Sequence, residues 1–279
     1  MPREIAMKIQ AEVARVIKIP EIREKLVQQG VDPVGSTPDD PKPRTYTVKP
    51  VASEASLRYT AWVKANREKV AKATGGRIAY IHVPNTATEG IQEFAKQYYP
   101  QVDKQGIIVD ERYNAGGNDP YFYTHRLADR TLDYWAIRDG QDQRSPATAI
   151  DGPKCMLINQ FAGSGGDNFP NYFRRQAIGP LIGKRTWGGL VGYSYAHVLV
   201  DGAAITAPDV GMWDPIKHDW VIENYGVDPD IEVENTPSDV ISGHDAQLER
   251  AIQWQLEQLQ KSPPKKYLRP KYKVQEGLK

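Results

Sequence analysis

Residues 154–178 read KCMLINQFAGSGGDNFPNYFRRQAI. Cys155 to Asn159 is a short apolar run of strand type, Ala162-Gly163-Ser164-Gly165-Gly166 is a turn of small residues, and Asp167 to Ile178 reads as a helix. A strand that passes through glycines straight into a helix is the repeating unit of a layered α/β protein. The same unit recurs upstream. RIAYIHV at 77–83 precedes a helix from Thr88 to Tyr98, and GIIVD at 106–110 precedes a Gly-rich loop and a helix from Asp119 to Leu132. Downstream, PLIGKR at 180–185 supplies another strand. Beyond Trp187 the pattern shortens to VLVDGAAITAP and DWVIEN, which predicts hairpins closing the sheet.

Further from this centre the signals weaken. Ser53 to Thr74 reads as a helix with Leu57, Trp62, Val63 and Val70 on its apolar side, closed by Gly75-Gly76. TYTVKPV at 45–51 alternates like a strand. Ile5, Ile9, Val13 and Val16 form the stripe of an amphipathic helix over 3–17, and a second short helix runs from Glu21 to Gln29. The Pro-rich stretch 31–44 is a linker. Asp245 to Leu259 is a last amphipathic helix, followed by a basic, Pro-containing tail.

Thirty-six basic residues against thirty-five acidic ones leave a formal charge of +1, so no global field draws the chain to nucleic acid or anionic lipid. A small or peptidic partner is the expected one. No apolar run approaches the roughly eighteen residues a membrane-spanning helix needs, and the N-terminus lacks the continuous apolar core of a secretory signal. The expected location is the cytoplasm, or the periplasm if a signal lies upstream of Met1. A single cysteine, Cys155, sits within the central apolar strand and reads as a buried, inert thiol. None of the five histidines has metal-ligand spacing with another, so neither a metal nor a cofactor is expected.

Parallel strands would place both Gly-rich loops on one sheet edge. The small residues around Ser164 allow a sharp turn that exposes its hydroxyl, as in a nucleophile elbow, although Ala162 stands where that pattern wants glycine. A plain turn or helix N-cap would use the same residues. Asn114-Ala115-Gly116-Gly117 follows the other strand, and its glycines let backbone N–H groups approach a ligand closely, as an oxyanion hole requires. A serine needs a base within hydrogen-bond reach. His82, in an apolar strand, reads as a core histidine; His125 and His197 are candidates that the sequence does not separate.

From about Thr45 to Leu259 the sequence resembles the C-terminal core of tricorn protease and its relatives, the tail-specific or S41 serine peptidases. The resemblance rests on GRIAYIHVPN (76–85), GIIVDERYNAGG (106–117), NQFAGSGGDNFP (159–170), IGPLIGKRTWGGLVG (178–192) and VIENYGVDPDIEVEN (221–235). It implies a crotonase- or ClpP-like α/β core, a mixed sheet flanked by helices and preceded by a short helical arm. The reaction implied is peptide-bond hydrolysis through an acyl-enzyme. It places the nucleophile on Ser164, the oxyanion donors on the amides of Gly165 and Gly116, and the acidic member of the catalytic set on Glu223. Gly165 replaces the family's usual Asp, which keeps the backbone donor and loosens the loop. Residues 1–40 resemble the C-terminal tail of tripartite tricarboxylate receptor-type solute-binding proteins, and read as a fusion remnant or a plain helical arm.

The resemblance also identifies what is unmatched. In tricorn-like enzymes the catalytic His follows a Ser in a helical domain upstream of a PDZ module, and the chain has no Ser-His pair. The other branch of the family uses a Lys where Gly189 stands, and Lys184 aligns with a structural position. The expectation is a serine peptidase core completed by a His-bearing domain, a partner chain or a homo-oligomer. A pseudo-peptidase that binds peptide segments is the alternative, and an acyl-transfer or hydratase activity ranks last. The expected division is a helical arm at 1–40, a linker strand and helix at 41–75, the peptidase core at 76–261 and a basic tail at 262–279.

Overall fold

The computed structural model describes residues 2–28, 33–36, 52–264 and 267–271. It divides into two units, 1–54 and 55–279. In the first, α1 (Arg3–Val16) and α2 (Pro20–Gln28) form as the periodicity predicts, with Pro20 opening the second helix, where its missing N–H costs nothing. Gln10 Nε2 donates to Ser36 O at 3.0 Å. The strand predicted at 45–51 and most of the 31–44 linker lie outside the described residues.

The second unit runs α3 (Ala55–Thr74), β1 (Ile78–His82), α4 (Thr88–Tyr98), β2 (Gly106–Asp110), α5 (Pro120–Ala128), β3 (Asp133–Trp135), β4 (Gln143–Ser145), β5 (Lys154–Ile158), α6 (Gly165–Arg175) and β6 (Leu181–Gly183). It continues through β7 (Ala196–Val198), β8 (Ala204–Thr206), β9 (Trp213–Asp214), β10 (Asp219–Trp220), β11 (Ile231–Glu232), α7 (Pro237–Ile241) and α8 (Ala246–Lys261). Five strands make one sheet in the order β1-β2-β5-β6-β11, and every pair is parallel. The mixed sheet implied above is thus an all-parallel one. The segments predicted to close it instead pair locally as the separate ribbons β7–β8 and β9–β10, and β11 takes the sheet edge.

All five residues of β1, β2 and β5 are buried, because helices cover both faces. Alternation along each strand divides the apolar residues between two cores. Ile81, Val109, Met156 and Ile158 pack with Phe94 and Tyr98 of α4, Tyr123 of α5 and Phe169 and Phe173 of α6. Tyr80, Ile108, Cys155 and Leu157 pack with Val63 and Val70 of α3 and Leu248 and Ile252 of α8. Leu57, expected on that apolar side, is exposed. Burial pushes the Cys155 thiol up to about 12, which leaves it inert.

One buried cation fixes the C-terminal end of β2 to α8. Arg112 Nε and Nη2 donate to the two oxygens of Asp110 at 2.9 and 2.7 Å, and Nη1 donates to Asp245 Oδ1 at 2.8 Å. Asp245 in turn caps α8, accepting from Leu248 N at 3.0 Å. No helix among the described residues is long and apolar enough to cross a membrane.

Candidate active site

The register pairs His82 with Asp110, Asp110 with Leu157 and Ile158 with Gly183, so the strands end together on one edge. Ser164 stands there, exposed, at φ 57° and ψ −117°, a conformation that costs a non-glycine residue of order 1–3 kcal/mol. The chain turns from β5 into α6 at this residue, and the helix begins at Gly165. The strain is held by neighbours: Ser164 N donates to Asp167 Oδ2 at 2.8 Å and Gly163 N donates to Asn114 O at 3.1 Å.

The first Gly-rich loop lies against the serine. A Cβ on Gly116 would stand 2.7 Å from Ser164 Cβ and 3.1 Å from its Oγ, so only glycine fits, and its φ of +85° requires glycine as well. The Gly116 N–H donates to Asn114 Oδ1 at 2.9 Å, and Asn114 Nδ2 donates to Val83 O at 3.1 Å. The amide of Gly117 takes no partner among the described residues. It lies beside Gly165, 2.8 Å from where a Cβ on that residue would stand. Gly165 is not the loosened position expected from the loss of the family's Asp. It is buried at the start of α6, and any Cβ there would meet Thr86 Oγ1 and the Gly117 backbone.

Sequence reasoning passed over Asp167. Its Oδ1 accepts from Gly188 N at 2.7 Å, and its Oδ2 accepts from Gly189 N at 3.1 Å as well as from Ser164 N. Burial raises its pKa, and these amides with the Thr186 side chain oppose the shift. The signal was present: Ser164 at the N-cap with an acidic residue three positions on is a capping-box spacing. Glu223 continues the same theme, its Oε2 accepting from Leu190 N at 2.7 Å and Val191 N at 2.6 Å. Two carboxylates therefore hold one loop, 188–191, by four consecutive amides.

No histidine or lysine among the described residues hydrogen bonds to Ser164. His82 is buried between the Tyr59 hydroxyl (2.8 Å) and Arg112 O (2.9 Å), and desolvation lowers its pKa. His125 stacks on Tyr121, His197 lies against Tyr195, and Lys184 pairs with Glu232 at the surface. Glu111, at the end of β2, is fully buried with both carboxyl oxygens unpartnered among the described residues. Burial, and then the negative charges of Asp167 and Asp110, push its pKa well above the ordinary 4.5.

A parallel α/β sheet with an exposed serine at a strained strand-to-helix turn, flanked by glycine amides, is the framework of an acyl-transfer hydrolase. The sequence model for peptidase family S41 matches residues 77–233, and the chain belongs to that family. It is similar to the tricorn protease of Thermoplasma volcanium, 40% identical over 205 residues, which are 74% of this chain and 20% of that protein. It is also similar to the putative tricorn-like protease C-terminal subunit of Sulfurisphaera tokodaii, 37% identical over 78% of this chain and 26% of that protein. The crystal structure of the tricorn protease superposes with a TM-score of 0.70 at 38% identity, covering 74% of this chain and 20% of that one. The chain thus carries a serine peptidase core, and it spans about a fifth to a quarter of the length of these relatives.

Proposed function

We propose that the chain is the nucleophile and oxyanion half of a tricorn-type serine peptidase, cutting peptide bonds through an acyl-enzyme on Ser164. The carrying observation is the exposed Ser164 in its left-handed turn at the start of α6, beside Gly116 and Gly117. Attack on a peptide carbonyl puts negative charge on its oxygen, and the Gly165 N–H with the amides of the 116–117 loop would receive it. Because the Gly116 N–H already serves Asn114, Gly117 is the donor favoured within that loop. Glu223 is the acidic member, fixed by the amides of Leu190 and Val191 and available to orient an incoming base. The base comes from a His-bearing domain, a second chain or another copy. That one relative is described as a C-terminal subunit supports this reading. In the same reading residues 1–40 form one segment, 41–75 link it to the peptidase core at 76–261, and 262–279 form a tail.

A fluorophosphonate probe tests the assignment. Ser164 should be labelled, labelling should vanish in Ser164→Ala, and added imidazole should accelerate it by standing in for the missing base. Labelling that is equal in Ser164→Ala, or absent with imidazole present, would leave the binding-only alternative.

A further inference from the structure

Three aromatic side chains lie exposed around the serine, and the reaction chemistry uses none of them. Tyr113, Phe161 and Trp187 are 57%, 62% and 68% exposed. Each is tied to the Ser164 loop. Asn159 Oδ1 accepts from Tyr113 N at 3.0 Å and from Phe161 N at 3.2 Å, so one amide oxygen sets both ring-bearing residues. Their rings stack with centroids 5.5 Å apart and planes 12° from parallel. Behind them the edge of Trp62 meets the Tyr113 ring at 6.2 Å. Trp187 N donates to Ala162 O at 2.9 Å, and its indole lies over Gly163, where an added Cβ would stand 2.6 Å from Cε3. Gly189 meets the same Cε3–Cζ3 edge of that indole, where an added Cβ would stand 2.4 Å from Cζ3. Two glycines, one beside the nucleophile and one in the 188–191 loop, therefore make room for a single exposed ring.

Rings held by backbone hydrogen bonds and left open are a prepaid binding surface. Ordering them on ligand binding costs little, and a flat apolar partner recovers the area they expose. We infer that Tyr113, Phe161 and Trp187 form a substrate subsite that takes an aromatic or large apolar side chain at the residue donating the scissile carbonyl. We place it there because Phe161 lies three residues before Ser164 and the Trp187 indole lies against Gly163, the residue immediately before it. No charged side chain hydrogen bonds or stacks with the three rings among the described residues, which disfavours lysine, arginine or acidic side chains at this place.

This inference rests on the peptidase reading, and its test is built so that the two fail separately. The full chain carrying Ser164→Ala is titrated calorimetrically with N-acetyl tripeptides ending in Phe, Ala or Lys, whose free carboxylates can occupy the glycine amides without any nucleophile. The Phe-ended peptide should bind at least about tenfold tighter than the Ala-ended one, as expected for filling an apolar pocket. Trp187→Ala and Phe161→Ala, each added to that background, should bring the ratio to about one. Trp187→Leu, which keeps an apolar side chain, should retain part of the preference. Equal binding of the Phe-, Ala- and Lys-ended peptides, a preference for Lys, survival of the Phe preference in both alanine variants, or no binding at millimolar peptide would each overturn the subsite. Loss of probe labelling at Ser164 bears only on the nucleophile.

Discussion

The loops around Ser164 and the segment from Gly192 to Trp220 are built in opposite ways. Around the serine, side chains from inside the unit meet the backbone: Asn114, Asn159, Asp167 and Glu223 together accept from amides in three separate loops. Between Gly192 and Trp220 the strands pair only as short ribbons, and Tyr195, Val198, Val200, Ile205, Ile216 and Trp220 stand exposed. The first region is preorganised, so a single polar substitution there should disturb the geometry around Ser164. The second contributes little buried area to this unit, so substitutions there should leave the fold nearly untouched.

The contrast can be tested from its strongest point downward. Arg112→Ala leaves the buried Asp110 carboxylate without its cation and should cost about 3–5 kcal/mol of stability by denaturant unfolding. A loss below about 1 kcal/mol would mean the strand-end network is not a stabilising anchor. Asp167→Ala removes the acceptor for Ser164, Gly188 and Gly189 amides together. Probe labelling at Ser164 should slow by a factor on the order of 10², similar to removing a donor from an oxyanion hole; an unchanged rate would show that the loop holds itself.

Glu111 gives a pH signature. The unfolded chain ionises this carboxyl near the ordinary 4.5, whereas the folded chain keeps it protonated to higher pH. Its contribution to stability is therefore complete below that value and is lost as pH rises toward the folded pKa. Glu111→Gln cannot ionise, so its Tm relative to the parent should rise between pH 4 and pH 8; a constant difference across that range would contradict the buried, neutral carboxyl. The smallest effect belongs to the ribbons. Val200→Ser with Ile205→Ser should change stability by no more than about 0.5 kcal/mol by denaturant unfolding. A drop in Tm of many degrees would erase the distinction between the two regions.

The preorganised region was also the more legible one. Strands, helices and both Gly-rich loops could be read because local periodicity and glycine placement act over a few residues, and the parallel order follows from helices alternating with strands. The exposed ribbons were misread as sheet-closing hairpins, since alternation alone does not say which partner a strand will find. Asp167 was read only as the first residue of a helix, because its partners Gly188 and Gly189 lie twenty-one and twenty-two residues away. Gly165 was read as a loosened position because a missing side chain reveals nothing of what would occupy its space, here Thr86 and Gly117. Tyr113, Phe161 and Trp187 lie in three separate motifs of the sequence, and their convergence on one edge is a property of the sheet register.

The grip of Asp167 on two loops has a consequence for anyone redesigning this scaffold. Because one carboxylate sets both the serine turn and the start of the 188–191 loop, the two segments are a single interchangeable cassette. Grafting the tryptophan-bearing loop from a relative to alter selectivity would import a segment shaped for another anchor. The practical unit of transplantation is residues 159–191 together with Glu223, which holds the amides of Leu190 and Val191.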